Sequence, residues 1–397
     1  MAVSIDEPFH HEMMPAVSHD ELARQRATLS MKLHMTYDVY PRDEDVYAAR
    51  TLPAFVKEHR RTPRDKTEVR HAMMREPTTQ MWSAIARTMQ EMLWYDTGAA
   101  IERQLGDLML IARRLGKKPL GTLRLNPDLP VPRYLSAVDI HAMPGSYGGD
   151  LAEDDVYAGA LYDRGAYYYT KGLTGPLNDG SGRSLVASFK ELFPEARPRR
   201  ILDLGCAIGG STIPWLDAFP EAEVHGIDVG AAVLRYAHAR AEALEKRIHF
   251  SQENAERTRF PDDYFDVVAT TGVFHETSTS ASRNIMREVH RILAPGGISM
   301  NSDIPHQHAN DLHDQFMLDW DCHYNAEPFW AHWTAMTSRD LMAAGGFDPE
   351  TVWECWRSRD HKGNFRLHDS PKEHPSETNK GGIGKGVFWG ARKSERT

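Results

Sequence analysis

The sequence is poor in cysteine and has no long hydrophobic run. Its 397 residues include three cysteines, Cys206, Cys322 and Cys355, and none of them belongs to a CxxC pair. Neither a disulfide framework nor a thiolate zinc site is therefore expected. No apolar stretch approaches the ~18 residues that cross a bilayer, so membrane insertion is not expected. The N-terminus is acidic and interrupted by Pro8, which does not match a secretory signal, and we expect a cytoplasmic protein.

The chain also lacks an excess of positive charge. It has 47 lysines and arginines against 56 aspartates and glutamates, which gives a formal net charge of −9. Proteins that bind nucleic acid through its phosphates usually carry a basic face, so nucleic acid is not an expected partner. The length and a hydrophobic content of 41% suit a globular protein with two or three domains.

Residues 1–150 are expected to form a mainly helical domain. Ser18–Glu21 has the form of a capping box. Apolar side chains recur at helical spacing over Thr78–Leu115, which predicts two helices joined or kinked near Gly98. Residues 120–150 are rich in proline and glycine and are interpreted as a linker or an extended crossover between domains. We expect the N-terminal domain to cap a binding cleft, to pair two subunits, or both.

Residues 151–197 are interpreted as an aromatic connector followed by an amphipathic leading helix. Tyr168 is the middle residue of a tyrosine triplet there. One interpretation places its phenol against the substrate. Burial with a satisfied hydroxyl explains the same residue equally well.

From residue 198 onward, short apolar runs alternate with helical segments. Seven strands are predicted, over residues 201–204, 224–228, 248–251, 265–269, 298–303, 352–357 and 387–391. Such alternation predicts a doubly wound, mostly parallel sheet. The predicted fold class is therefore α/β, with a seven-stranded sheet in residues 198–397 and the helical domain before it.

The stretch Arg200–Gly230 has the pattern of an adenosine-binding site. A strand that ends at Leu204 precedes a small-residue loop with Gly205 and Gly209, and Asp228 ends the next strand. Glycines let the backbone approach a ligand closely, and an acid at the end of the second strand suits a ribose diol. The loop alone fits a nicotinamide cofactor as well as S-adenosylmethionine.

Three further motifs follow in order. They are Asn-Ala-Glu at 254–256, Phe-Pro-Asp-Asp-Tyr-Phe-Asp-Val-Val at 260–268 and Leu-Ala-Pro-Gly-Gly at 293–297. Together with Asp-x-Gly-x-Ala-x-Gly at 203–209 and the acid at 228, they resemble the class I S-adenosylmethionine-dependent methyltransferases. The resemblance covers about residues 184–393, and it implies S-adenosyl-L-methionine as cofactor, a Rossmann-like domain and an antiparallel last strand.

The resemblance also implies roles for matching positions. Asp203 would anchor the amino group of the cofactor, Asp228 the ribose hydroxyls, and Asn254 the adenine. Ala207 departs from the commonest pattern, which has glycine there. The implied cofactor contacts are Asp203, Gly205, Cys206, Ala207, Gly209, Asp228, Val229, Asn254, Ala255 and Thr271.

Histidines that follow the fourth and fifth predicted strands are candidates for catalysis. His275 and Glu276 follow the fourth strand, and His306 follows the fifth. Ligands bind at this edge of open α/β sheets. Histidine is the natural base for a phenol, so we expect His275 to be a base or a positioning residue with Glu276 next to it, and His306 or His308 to meet the substrate from across the cleft. A satisfied structural histidine is the alternative.

Residues 304–336 are predicted to be a substrate-binding insertion. Besides Tyr168, the candidate substrate contacts are His308, Trp320, Trp330 and Trp333. An aromatic-walled pocket suits an apolar or ring-containing acceptor, and packing against the N-terminal helices explains the tryptophans equally well. The histidines after Asp303 lack a matching carboxylate set, so no metal site is predicted.

The predicted function is methylation of a small, apolar or aromatic acceptor, at oxygen and with a histidine base. C-methylation of an electron-rich alkene or ring is one open alternative. A cofactor-binding partner protein without catalysis is another, from a different class. The expected partner is a small molecule, and the N-terminal helices are the candidate surface of a homodimer.

Overall fold

The computed structural model describes residues 8–172, 174–304, 306, 311–359, 365–368 and 386–395. Its helices are α1 (His19–His34), α2 (Tyr40–Val46), α3 (Leu52–His59), α4 (Lys66–Met73), α5 (Pro77–Glu102), α6 (Leu105–Leu115), α7 (Arg133–Ser136), α8 (Tyr157–Tyr169), α9 (Gly180–Leu192), α10 (Ile213–Ala218), α11 (Ala231–Ala243), α12 (Thr279–Ile292), α13 (Leu312–Tyr324), α14 (Trp330–Ala335) and α15 (Ser338–Gly345). Its strands are β1 (Thr122–Arg124), β2 (Arg200–Leu204), β3 (Glu223–Asp228), β4 (His249–Gln252), β5 (Phe265–Thr271), β6 (Leu293–Asp303), β7 (Trp353–Arg359), β8 (Phe365–His368) and β9 (Gly386–Arg392). None of the helices in these ranges is long and apolar enough to cross a membrane.

All the described strands join one sheet, in the order β1-β4-β3-β2-β5-β6-β9-β7-β8. The pairs from β1 to β6 are parallel, whereas β9 runs antiparallel to both β6 and β7. The doubly wound α/β fold and the antiparallel last strand are therefore confirmed. The sheet has nine strands rather than the predicted seven, because β1 and β8 extend its two edges.

The order of the strands reverses between β2 and β5. After β2 the chain forms β3, which pairs with one side of β2. It later forms β5, which pairs with the other side of β2. In open α/β sheets this switch point creates a crevice at the carboxyl ends of the strands. The residues that end β2, β3, β5 and β6 therefore meet along one edge.

The helical start of the chain matches its sequence pattern, with one difference. Ser18 Oγ accepts a hydrogen bond from the Glu21 amide, and the Glu21 carboxylate accepts one from the Ser18 amide, as a capping box requires. The predicted break near Gly98 is wrong, since α5 continues to Glu102. A Cβ on Gly98 would lie 2.7 Å from the Tyr157 hydroxyl, so close packing explains this glycine.

The segment interpreted as a linker belongs to the sheet and to the site. β1 pairs in parallel with β4 and supplies an edge strand. Gly121 precedes it, and a Cβ there would lie 1.9 Å from the Ile248 carbonyl oxygen. The sequence does not predict β1, because a strand of three residues is too short to show an alternating apolar period.

Helix α8 joins the N-terminal helices to the sheet. A Cβ on Gly159 would lie 2.2 Å from the Tyr236 side chain on α11, and a Cβ on Gly165 would lie 2.2 Å from the Trp94 ring on α5. Glycine at both positions lets α8 lie against both neighbours. The segment predicted as a connector is therefore a buried helix with two packed faces.

Candidate functional site

The loop after β2 is shaped by two glycines in the left-handed region. Gly205 and Gly209 both have φ of +76°, which other residues rarely adopt. A Cβ on Gly205 would also lie 2.6 Å from Val273. The amides of Gly205 and Cys206 donate to the Ile227 carbonyl oxygen at 2.9 and 3.0 Å. The loop is thus held against β3 and leaves no room for a side chain at Gly205.

Asp203 is buried at the end of β2 with one oxygen unused. Its Oδ2 accepts hydrogen bonds from the hydroxyls of Ser211 and Thr212, both at 2.6 Å. Its Oδ1 is buried and has no hydrogen-bond partner among the described residues. Burial raises the pKa of Asp203 to about 6. A buried acceptor without a donor fits the cationic amino group of S-adenosylmethionine.

Asp228 closes the opposite side of the loop. Its Oδ2 accepts from the Ala207 amide and its Oδ1 from the Gly230 amide, each at 3.0 Å. Burial raises the pKa of this carboxyl. Ala207 has φ of +42°, so alanine occupies a backbone conformation that favours glycine. The acid predicted to bind the ribose therefore also holds the loop in its shape.

The remaining predicted cofactor contacts surround these two acids. Cys206 and Val229 are buried, and Ala255 packs against the core under the sheet. Asn254 Oδ1 accepts from the Glu256 amide at 2.8 Å. Thr271 Oγ1 is buried and has no partner within the described ranges. This orphaned hydroxyl at the end of β5 is a second polar atom that a ligand in the crevice can satisfy.

The segment after β1 covers the same edge. The Asn126 amide donates to Gln252 Oε1 at 2.9 Å, and the Tyr134 hydroxyl donates to Glu256 Oε1 at 3.3 Å. A Cβ on Gly230 would lie 2.1 Å from the Tyr147 carbonyl oxygen. Residues 126–147 thus cover the ends of β3 and β4. The interpretation of this segment as a linker did not predict that contact.

His275 is held by a buried carboxylate on the neighbouring strand. It lies in a short 3-10 turn, Phe274–Glu276, after β5, and its Nδ1 is 2.5 Å from Asp303 Oδ1 at the end of β6. Asp303 Oδ2 accepts from the Phe274 amide at 2.9 Å. Burial lowers the pKa of His275, but the charges of Asp303 and Glu276 outweigh the effect of burial and raise the pKa to about 9.

Glu276 gathers two further groups that the sequence did not connect with it. Its Oε1 accepts from the Tyr147 hydroxyl at 2.9 Å and lies 3.0 Å from His141 Nε2. The same oxygen lies 3.7 Å from His275 Nε2. The two imidazoles therefore face one carboxylate oxygen.

His141 is the main functional candidate that sequence reasoning missed. Its Nδ1 forms an ion pair with the buried Glu327 carboxylate, and its carbonyl oxygen accepts from Gln90 Nε2 and the Trp94 indole, both at 2.8 Å. Its φ is +58°, a strained conformation of the kind that clusters at functional sites. Burial lowers the pKa of His141, but Glu327 and Glu276 raise it to about 10. No periodic pattern in its proline- and glycine-rich surroundings marks it.

We name His141, His275, Glu276, Asp303 and Glu327 the histidine cluster. His141, His275 and Glu276 offer ligand atoms that all lie within 4.8 Å of one another. The other ring nitrogen of each histidine is paired with a buried carboxylate, which is the outer-shell arrangement common around metal-bound histidines. These side chains can therefore handle a proton or ligate a divalent cation.

Two of the predicted tryptophans lie near His275, in different settings. The Trp330 ring meets the His275 ring edge-on, with centroids 5.0 Å apart. Trp333 is 1% exposed, stacks on Phe274 at 5.7 Å and donates to the Ile304 carbonyl. Trp330 thus borders the histidine cluster, while Trp333 packs in the core behind it.

Other predicted contacts lie away from the cluster. Trp320 packs on Trp82 at 4.8 Å, against the N-terminal helices. His306 is buried beside Trp333, at 4.7 Å between rings, with Nε2 3.9 Å from Glu354. His308 lies outside the described residues.

The tyrosine triplet contributes its last member to the cluster rather than its middle one. Tyr168 is buried in the core between α8 and its neighbours, where it accepts from Arg164 at 3.2 Å. Tyr169 points the other way, and its ring centroid is 5.0 Å from that of His141. Its hydroxyl accepts from Asn325 Nδ2 at 2.9 Å. Tyr169 therefore borders the histidine cluster, whereas Tyr168 packs in the core.

Residues 201–297 match a family model described as a methyltransferase domain. Over 107 residues the chain is 35% identical to a demethylmenaquinone methyltransferase of Thermus thermophilus, covering 27% of this chain and 48% of that protein. It is 28% identical to a malonyl-[acyl-carrier protein] O-methyltransferase of Bacillus cereus, covering 34% and 48%. The chain thus spans about half the length of these curated relatives.

Among solved structures, the chain is similar to phosphoethanolamine N-methyltransferase 2 of Haemonchus contortus, which was solved with S-adenosyl-L-methionine. That likeness has 15% sequence identity and a TM-score of 0.40, and it covers 60% of each chain.

Proposed function

Residues 201–297 form a class I S-adenosylmethionine-dependent methyltransferase domain, and on that premise we propose that the protein methylates a small acceptor at an oxygen atom. S-adenosyl-L-methionine is the cofactor, and when bound it supplies the methyl group as an electrophile. The chain must then hold the acceptor in line and receive the proton of its hydroxyl.

The observation that carries this proposal is the His275–Asp303 pair beside the cofactor loop. Asp303 occupies Nδ1 of the ring, so Nε2 faces Glu276 and the crevice. A Cβ on Gly272, at the end of β5, would lie 3.4 Å from His275 Cε1. The imidazole is therefore next to the strand end whose Thr271 hydroxyl is orphaned.

In the proposed step, Nε2 of neutral His275 takes the proton of the acceptor hydroxyl. The deprotonated oxygen would then take the methyl group of the bound cofactor, which would depart as S-adenosylhomocysteine. The Asp303 carboxylate stabilises the imidazolium that forms. Aromatic side chains border the cluster, with Trp330 against His275 and Tyr169 against His141, which supports a ring-containing or apolar acceptor.

The proposal is tested by His275→Gln. The variant protein should bind S-adenosylmethionine with unchanged Kd in calorimetry, while kcat falls by about 10²- to 10⁴-fold. Turnover is measured as S-adenosylhomocysteine formed with a hydroxylated aromatic acceptor found by screening. His306→Gln is the matched control, because that histidine is also buried and packs against Trp333. Unchanged turnover of the His275 variant from pH 6 to 9 would overturn the base role.

A second candidate is metal-assisted O-methylation, favoured by the convergence of His141, His275 and Glu276. A divalent cation held by these three groups would lower the pKa of a coordinated hydroxyl, and His275 would be a ligand instead of a base. Metal analysis after incubation with Zn²⁺ or Mn²⁺ and desalting separates the two. One bound ion per chain, lost in His141→Asn, supports the metal mechanism. Full activity in excess chelator supports the base.

We also propose a cytoplasmic homodimer. The three cysteines form no disulfide, which suits a reducing compartment. Helix α5 exposes Met81, Met92 and Tyr95, the last to 77%, and such apolar exposure is typical of contact surfaces. Sedimentation of the protein and its Tyr95→Asp variant tests the dimer, which the charge should dissociate.

A further inference from the structure

Two lysines, Lys171 buried and Lys32 partly buried, lie on the side of Tyr169 that faces the N-terminal helices. Lys32, near the end of α1, donates to Gln90 Oε1 at 2.6 Å, and its Nζ is 4.4 Å from the centroid of the Tyr169 ring. Lys171 follows α8 directly, is 5% exposed, and donates to Thr36 Oγ1 at 3.3 Å. Both ammonium groups thus have neutral partners.

Neither ammonium has a carboxylate within 4.0 Å among the described residues. Burial lowers the pKa of Lys32 to about 7, with repulsion from Lys171 adding to it, and burial lowers that of Lys171 to about 8. The acid that acts on both is Asp321, which accepts from Asn325 Nδ2 at 3.1 Å. Burial raises the pKa of Asp321 to about 7, with the charge of Glu327 adding to it. One acid farther than 4.0 Å away does not neutralise two cations, and uncompensated charge is costly at a position as buried as Lys171.

The backbone is irregular at Lys171 and at its hydrogen-bond partner Thr36. Lys171 has φ of +57°, in the left-handed region, and its amide donates to the Tyr168 carbonyl at 3.1 Å. Thr36 lies in a π-helical turn, Met35–Val39, that interrupts the helix after α1. Strained backbone and π-helical turns occur often at functional sites. Two such irregularities meet at the Lys171–Thr36 bond.

Tyr169 connects this lysine pair to the histidine cluster. Its ring is 4.4 Å from Lys32 Nζ and 5.0 Å from the His141 ring. Gln90 makes a second connection, since it accepts from Lys32 and donates to the His141 carbonyl. A ligand group beside the lysines would therefore be separated from the histidine cluster by the Tyr169 ring.

We propose that the acceptor carries an anionic group, a carboxylate or a phosphate, that binds between Lys32 and Lys171. This inference rests on the proposed function, because it names the class of acceptor for the same site. The anion replaces the missing counter-charge, and the rest of the acceptor extends past Tyr169 to present its hydroxyl at His275. A neutral acceptor of the same shape leaves both ammonium groups uncompensated and binds more weakly.

The experiment measures thermal unfolding of the full chain with benzoate or inorganic phosphate replacing chloride at constant ionic strength. One of the two anions should raise the unfolding midpoint by about 2 °C or more through preferential binding to the folded state. A response to benzoate alone indicates a carboxylate, and one to phosphate alone indicates a phosphate ester. The response should disappear in Lys32→Met/Lys171→Met and persist in Lys118→Met, which removes an exposed lysine.

The midpoint without added anion gives a second reading. If the lysines serve a ligand, the double variant should unfold at the same temperature as the native protein or higher, because it buries no uncompensated charge. The single variant Lys32→Gln serves if the double variant does not fold. The absence of any anion response in the native protein, or an equal response in the double variant, overturns the inference. Calorimetry with S-adenosylmethionine on the same samples reports on the proposed function separately.

Discussion

The cofactor loop and the histidine cluster are built by opposite means. The loop belongs to residues 203–230, which run from the end of β2 through α10 to the end of β3, and backbone amides make most of its contacts. The cluster brings together side chains from four separate segments, around residues 141, 275, 303 and 327. A local site is recorded in spacing and glycine placement, whereas an assembled site depends on the whole topology.

The largest expected effect concerns the cofactor loop, which is the local site. Asp228→Ala should weaken S-adenosylmethionine binding about 100-fold, because charge-assisted bonds to ligand hydroxyls contribute about 1.5–3 kcal/mol each. The loop also loses the acceptor of its Ala207 and Gly230 amides. Calorimetry of the free enzyme measures the change.

Asp217→Ala is the control, since that aspartate forms an exposed ion pair with Lys246. Equal affinity in the native protein and Asp228→Ala would mean that the loop binds its ligand elsewhere. The assignment of the local site would then fail even though the fold stands.

Much of the fold could be predicted from the sequence, for a physical reason. Strands buried on both faces of a parallel sheet are apolar runs, and a positive φ favours glycine, so the strands and Gly205 and Gly209 can be recognised in the sequence. The antiparallel β9 came from the family resemblance and not from periodicity. β1 was missed because its pairing with β4 crosses more than 120 positions of sequence and leaves no local trace.

The assembled site was predicted only in part. His275 and Glu276 could be found because they follow a strand directly. His141 could not, because its place is fixed by hydrogen bonds from Gln90 and Trp94 on α5 to its carbonyl oxygen. Such tertiary contacts have no counterpart in spacing.

The second prediction concerns how activity at the histidine cluster, the assembled site, depends on pH. His275 must be neutral to take a proton, and Asp303 raises its pKa to about 9 against the effect of burial. kcat/KM should therefore rise about tenfold per pH unit below pH 9 and level off above it. In Asp303→Asn the rising limb should move to lower pH, because the carboxylate that favours the imidazolium is gone.

Stability should move in the opposite direction from activity. A histidine whose folded pKa lies above its unfolded value stabilises the fold below about pH 6.5, and this contribution is lost as pH rises through about 9 for His275 and about 10 for His141. The unfolding midpoint should fall from pH 7 to 10 while kcat/KM rises. A pH-independent kcat/KM, together with an unchanged profile in Asp303→Asn, would exclude His275 as the titrating group.

The smallest expected effect separates two neighbours, Tyr168 and Tyr169. Tyr169→Phe removes the hydroxyl that accepts from Asn325 at the edge of the cluster, and it should raise KM about fivefold, as the loss of one hydrogen bond implies. Tyr168→Phe should lower the unfolding midpoint and leave KM unchanged, because its hydroxyl bonds to Arg164 within the core. Steady-state kinetics and thermal unfolding of both variants show which face of α8 the acceptor lies on. If Tyr168→Phe changed KM and Tyr169→Phe did not, the acceptor would lie on the other face of α8, and the histidine cluster would no longer be its site.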